Sequence, residues 1–273
     1  RLGRPVRPSA PDMRREELER RPPDKEDTLE EATLSDLSLH RELGAGLTGA
    51  VYAATHRPSG RLCAVKVMSK LKILQINEAA HVSQERRIMQ RAGKHPFVAT
   101  LYAAFQDVDA LFLVMEHAAG GDLFHLIRDK GALKLDHAKA IFVQVTLALD
   151  HIHGEGYIYR DLKPVNILLQ EDGYIRLTDF GFAKKLRHGE RAYTVCGTPD
   201  YLAPETLRQQ GCNKAADFWA VGILLFEMLA GYPPFSGQTH AQLYKRITAG
   251  HMRSYPPNFD IAAQDLISRL LAR

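Results

Sequence analysis

Apolar positions along this chain change their rhythm near its middle. Leu37 and Leu39, then Glu42-Leu43, and then Val51-Tyr52-Ala53 read as two short strands joined through a glycine turn. Cys63-Ala64-Val65-Lys66-Val67 is a third strand, entered from the turn residues Pro58-Ser59-Gly60, and Leu111-Phe112-Leu113-Val114-Met115 is another. One helix lies between them: over 81–91, Val82, Ile88 and Met89 share a side. Gly120-Gly121 then breaks the chain, and beyond it the spacing is mainly helical, over 123–128, 137–153, 215–229 and 262–271. Residues 157–203 read as strands and loops. A small strand-rich half followed by a larger helical half predicts an α+β architecture of two lobes. The N-lobe runs over about 36–116 and the C-lobe over about 120–273, with a cleft at the Gly120-Gly121 junction. No internal repeat or low-complexity tract interrupts this order.

Residues 1–35 lie outside that pattern. They are crowded with Arg, Glu, Asp and Pro and contain few large apolar side chains, so they cannot offset the entropy of becoming ordered. A charged, flexible N-terminal segment is expected there, with room for a short helix around 14–20. The rest of the composition mainly removes alternatives. With 45% hydrophobic and 25% charged residues the chain is ordinary for a globular protein. A net charge of +4 suits phosphate-bearing ligands, but without a basic run or interleaved aromatics it does not argue for nucleic acid. Cys63, Cys196 and Cys212 are far apart and form no CxxC pair, which fits a reducing compartment and neither a disulfide framework nor zinc. The twelve histidines show no metal-ligand spacing. The most apolar stretch, 218–230, is interrupted by Glu227 and is too short to cross a bilayer. These features predict a cytoplasmic protein, for which the nucleus is also accessible. Because the first residue is Arg rather than Met, a fragment or processed product is expected.

Five groups of residues carry chemistry, in a fixed order. Gly44-Ala-Gly46-Leu-Thr-Gly49-Ala-Val51 is a glycine hairpin between two strands, and glycines let backbone N–H groups approach phosphates closely. No helix follows it, which argues against a dinucleotide-binding fingerprint. Lys66, inside an apolar strand, needs a partner, and Glu85 on the following helix is the natural one, leaving the ammonium to hold phosphates. Tyr159-Arg160-Asp161-Leu-Lys163-Pro-Val-Asn166 supplies a carboxylate to accept a hydroxyl proton, a lysine to stabilise a moving phosphoryl group, and an amide oxygen for Mg²⁺. Asp179-Phe180-Gly181 adds a second hard oxygen ligand for Mg²⁺. Ala203-Pro204-Glu205 closes the loop that Asp179 begins.

This ordered set resembles the eukaryotic protein kinase catalytic domain, over about residue 36 to the last residue. Tyr159, Asp179-Phe-Gly-Phe-Ala-Lys184, the run from Thr194 to Glu205, and Gly231-Tyr-Pro-Pro-Phe235 are most similar to the AGC group of Ser/Thr kinases, and within it to the cyclic-nucleotide-dependent kinases. The resemblance implies the two-lobed protein-kinase fold, with a small antiparallel β-rich N-lobe bearing one key helix and a mainly helical C-lobe. It implies ATP and Mg²⁺ as cofactors, protein substrates, and a regulatory subunit or cyclic-nucleotide-binding segment outside this chain. Residue by residue, Val51, Ala64, Met115 and Leu168 are expected to line an adenine pocket. Glu116 and His117 are expected to present hinge backbone groups, and Asp122 to reach the ribose. Thr198 is expected to brace Asp161 and Lys163, and Asp217 to tie the catalytic loop to the core. Thr194 stands where the group carries an activating phosphate, with Arg160 and His81 as its expected partners. Asp122 and Glu227 match acidic positions that select basic residues before the target, while Val165 stands where a third acid is usual, which predicts a weaker basic preference. An Arg partner for Glu205 and a final helix are missing, so the C-lobe is expected to be incomplete.

Overall fold

The computed structural model describes residues 29, 32–187 and 189–272. Most of the 1–35 segment, including the possible helix at 14–20, lies outside the described residues. Of that segment, Leu29 and Ala32 pack against Leu37, Ala54 and Tyr102, and Leu34–Asp36 forms a 3₁₀ turn closed by the Thr33 and Asp36 side chains.

The small lobe is one antiparallel sheet of β1 (Leu37–Ala45), β2 (Gly49–His56), β3 (Arg61–Ser69), β4 (Leu101–Gln106) and β5 (Ala110–Glu116), in the order β1-β2-β3-β5-β4. Its two faces are set by the period-two alternation of a strand. On β3, Cys63 and Val65 enter one apolar cluster, while Ala64 and Met68 enter the cluster that continues into the large lobe. Lys66 shares the second face, which turns its ammonium toward the helix packed there. Two helices follow β3. α1 (Lys70–Gln75) is capped by the Ser69 hydroxyl, and α2 (Ala79–Ala92) buries Glu85, Ile88, Met89 and Ala92.

The large lobe is built on α3 (Leu123–Lys130), α4 (Leu135–Gly154) and α6 (Ala215–Ala230), with the short α5 (Pro204–Leu207) before α6. α6 is apolar almost all round, as a helix at the centre of a core must be, and it packs on α4. α7 (His240–Ala249) and α8 (Ile261–Leu270) complete the lobe, each N-capped by a side chain, Thr239 and Asp260 respectively. Between α4 and α5 lie the short strands β6 (Tyr157–Ile158), β7 (Ile167–Leu169), β8 (Ile175–Leu177) and β9 (Lys184–Lys185), pairing as β6–β9 and β7–β8. They turn the chain back repeatedly and deliver its polar residues to the cleft below the sheet.

The segment after β5 docks on β7: Gly120 N–H donates to Leu169 O at 2.9 Å and Leu169 N–H to Gly121 O at 2.8 Å. β8 reaches the segment leading to β4, since Leu177 N–H donates to Phe97 O and Ala99 N–H to Leu177 O. Among the described residues no helix is long and apolar enough to cross a membrane.

Candidate active site

Lys66 meets Glu85 as its position in an apolar strand requires. Its Nζ lies 2.6 Å from Glu85 Oε1 and 3.9 Å from Asp179 Oδ1. Burial works against the charged ammonium, but the carboxylates of Glu85 and Asp179 outweigh it and hold Lys66 above its ordinary pKa. The cation is thus fixed at the mouth of the glycine hairpin, opposite Val51 in the β2–β3 register.

The glycines of that hairpin differ in what they do. A Cβ on Gly44 would meet nothing within 4 Å, and one on Gly46 only Gly49 O at 3.8 Å. A Cβ on Gly49 would lie 1.8 Å from Val67 O, so this glycine is demanded by the sheet itself. Gly46 N–H closes the turn on Gly49 O at 2.7 Å.

Asp161 sits at the bottom of the cleft, 2% exposed, in a set of hydrogen bonds that fixes both oxygens. Lys163 Nζ is 2.7 Å from Oδ2, Thr198 Oγ1 donates to Oδ1 at 3.1 Å, and Asn166 Nδ2 donates to Oδ2 at 3.1 Å and to the backbone oxygen at 2.9 Å. Burial pushes the carboxyl pKa up, and the Lys163 ammonium pulls against it. The loop carrying Asp161 is held by Asp217, the buried acid at the start of α6. Its carboxylate accepts the N–H groups of Tyr159 and Arg160 at 2.9 and 2.8 Å, with His153 Nε2 at 2.7 Å. These bonds hold Arg160 at φ 70°, a left-handed conformation that a side chain with a Cβ does not adopt unaided.

Asp179 also has positive φ, at 58°, and its Oδ1 accepts Gly181 N–H at 3.3 Å. Phe180 behind it is fully buried, edge-on to Tyr159 at 5.5 Å. Asp179 and Asn166 form a carboxylate-plus-amide pair of hard oxygen donors. That set fits Mg²⁺, which takes one or two protein oxygens and completes its shell with phosphate and water. Among the described residues no three His, Cys, Asp or Glu side chains converge on one point.

The other predicted residues lie on β3, β5, β7 and the segment between β5 and α3. Ala64 pairs with Met115 across β3 and β5, and Leu168 bridges to Asp122. Asp122 caps α3 through His125 N–H at 2.8 Å. Glu116 N–H donates to Thr100 O at 2.9 Å, and its carboxylate takes both 2.9 Å contacts of Arg176 Nε and a bond from Gln170. Burial, followed by the charge of Arg41, lowers the His117 pKa.

Thr194 and Arg160 line one small cavity with Cys196, Thr198 and Cys212. Arg160 spends Nε on Phe182 O at 2.7 Å, and its buried Nη1 has no partner among the described residues. His81 is instead engaged on its own helix, with Nδ1 2.7 Å from Glu78 Oε2. Glu227 is a half-buried acid whose pKa burial raises, and the Tyr201 hydroxyl donates to it. Val165 is 39% exposed.

Sequence reasoning gave no role to Tyr201, Arg176, Gln170, His153 or Gln84, whose amide reaches Ala183 O. Each acts on a partner far along the chain, and no local spacing announces it.

Residues 37–273 match the protein kinase domain family. The chain is 41% identical over 244 residues to a "cAMP-dependent protein kinase, catalytic subunit-like" protein of Caenorhabditis briggsae, a match covering 89% of this chain and 62% of that one. It is 42% identical over 238 residues to the cAMP-dependent protein kinase catalytic subunit of Dictyostelium discoideum, covering 87% and 36%. With human cAMP-dependent protein kinase catalytic subunit PRKX the identity is 38% over 239 residues, covering 88% and 66%. The chain therefore spans less than two thirds of the length of each of these relatives. By its matched residues and by the cleft they build, this chain belongs to the protein kinase domain family, beside relatives that are cAMP-dependent catalytic subunits.

Proposed function

We propose that this chain is the catalytic domain of an ATP-dependent Ser/Thr protein kinase, and one observation carries the reading. Asp161, Lys163 and Thr198 form a fixed triad facing the cleft in which Lys66, Glu85 and Asp179 are already aligned. Phosphoryl transfer depends on positioning and charge neutralisation more than on covalent chemistry, and this arrangement provides both.

Lys66 holds the non-transferred phosphates, with the N–H groups of the Gly44–Gly49 turn covering them. Adenine lies between Val51 and Ala64 on one side and Leu168 on the other, beside Met115 and the Glu116-His117 backbone, and Asp122 takes the ribose. Asp179 and Asn166 would hold Mg²⁺, which would supply charge neutralisation for the triphosphate. Asp161 accepts the proton of the attacking Ser or Thr hydroxyl as it leaves, and Lys163 stabilises the charge on the phosphoryl oxygens in flight. Thr198 keeps Asp161 aimed. The unpartnered Nη1 of Arg160, in the cavity that Thr194 lines, supports Thr194 as an activating phosphorylation site, because a phosphate adds about −1.5 to −2 charges where a cation waits. Glu227 and Asp122 recognise basic residues before the target, and Val165 weakens that preference. The relatives are called catalytic subunits, which supports a regulatory partner for this chain as well.

The test is transfer of radiolabelled phosphate from Mg-ATP to an Arg-containing Ser peptide. The expected result is about 1–100 turnovers per second, abolished by Asp161→Asn and cut at least about tenfold by Thr194→Ala through loss of the phosphate's ion pairs. Turnover that persists in Asp161→Asn would remove the proton-acceptor role, and undiminished activity in Thr194→Ala would remove the switch.

A further inference from the structure

Between Glu227 and Asp260 the sequence contains no Asp or Glu, yet it holds Lys245, Arg246, Arg253, His240 and His251. The fold gathers most of these cations into one place. A cleft of about 680 Å³ runs between α7, the loop before it and the segment after it, and none of its lining residues is acidic. Lys245, Arg246, His251 and Arg253 supply its charge, and Gln242 and Ser236 its neutral polar groups. This volume lies in the range of ligand-binding clefts, roughly 300–1,000 Å³.

The cleft is held open by specific contacts. A Cβ on Gly237 would come within 2.5 Å of Leu243 N, so the loop lies directly on the first turn of α7. Arg246 Nη1 donates to Ser236 O at 2.8 Å and Arg253 Nε to Ser236 Oγ at 3.0 Å. Two guanidinium groups therefore converge on one neutral serine, with Arg253 also laid over the Tyr232 ring. Among the described residues neither arginine meets a carboxylate, and the Lys245 ammonium has no partner, while its backbone oxygen accepts from the Thr248 hydroxyl at 3.2 Å. Like charges brought together without a counter-charge repel one another, and a bound anion would relieve this. α7 also touches the Pro199–Tyr201 turn, directly after Thr198, which bonds Asp161.

We propose that this groove docks an acidic peptide segment of a protein substrate, separate from the residue that is phosphorylated. Only the word substrate rests on the kinase reading; the docking stands on the charge and shape of the groove. The first measurement is fluorescence anisotropy of a labelled deca-glutamate peptide with the full chain, without nucleotide. Saturable binding is expected, weakening with added NaCl and falling about five- to tenfold in Lys245→Glu, a reversal of two charge units at an exposed, unpartnered position. Lys245→Gln should fall between the two proteins. The second measurement is KM for a Ser peptide with and without an appended glutamate run. The run should lower KM about fivefold with kcat unchanged, and that gain should vanish in Lys245→Glu. Absence of saturable binding, or equal binding by wild type and Lys245→Glu, overturns the proposal. So does stronger binding to phosphatidylserine vesicles or single-stranded DNA than to the peptide. Peptide binding without any phosphate transfer would keep the docking groove and overturn the kinase reading instead.

Discussion

His95 shows how much one side chain can report about its surroundings. Its ring stacks on His151 at 4.9 Å and meets Phe97 edge-on, and Nδ1 accepts Phe97 N–H at 3.2 Å. Burial, then the nearby His151 and Arg176, lower its pKa to about 4, with Asp150 acting the other way. The unfolded chain takes up this proton near pH 6.5 and the folded chain only near 4. The stabilisation is therefore complete above pH 6.5 and is lost as pH falls from 6.5 through 4. Partial exposure of the ring limits the effect to about 1–2 kcal/mol. His95→Asn should melt lower at pH 7 through lost packing, yet lose less Tm than the wild type between pH 7 and pH 5. Comparing the two proteins isolates His95 from Asp161 and Glu227, whose burial raises their pKa values and so acts in the opposite sense. Equal acid losses in both proteins would show that His95 does not titrate in this window.

Among the elements, the glycine hairpin separates folding from ligand binding within one motif. Gly49→Ala must push β2 away from Val67, an overpacking cost of about 1–3 kcal/mol. Gly44→Ala meets open space, so its stability should stay within about 0.5 kcal/mol of wild type while its affinity for ATP falls. Thermal melts with nucleotide titration check both, and a Gly44→Ala protein destabilised as much as Gly49→Ala would contradict this division. The motif's existence was legible from sequence, but not which glycine served which purpose. β3, β5, α4 and α6 were also legible: β3, β5 and α6 are continuous apolar runs, and α4 buries a stripe at helical spacing. β4 was missed because a register shift between Leu101 and Ala103 spoils its alternation. α7 was missed because only Leu243 and Ile247 of its ten residues are buried. Lys66–Glu85 could be anticipated, because a lysine in an apolar strand demands a partner. Tyr201–Glu227, 26 residues apart, and Arg176–Glu116, 60 apart, follow no spacing rule and needed the fold.

At the scale of the whole molecule, Arg176 and Glu116 tie the lobes together. Glu116 ends the last strand of the small lobe in chain order, Arg176 lies on β8 of the large one, and both side chains are less than one-fifth exposed. Breaking such a half-buried pair costs about 1–3 kcal/mol, less than a fully buried one. Arg176→Ala and Glu116→Gln should each lower stability by that amount and raise KM for ATP, with a coupling of about 1 kcal/mol in the double-mutant cycle. Additive effects would mean that the pair does not connect the lobes energetically. The opposite end of the sheet has a different consequence. β1 is an edge strand, exposed from Leu39 onward, with two register shifts against β2 and His40-Arg41-Glu42 along it. Bulges and charges on an edge discourage a second chain from adding a strand there. The hairpin proposed to cover a nucleotide is thereby also guarded against strand addition along its outer edge.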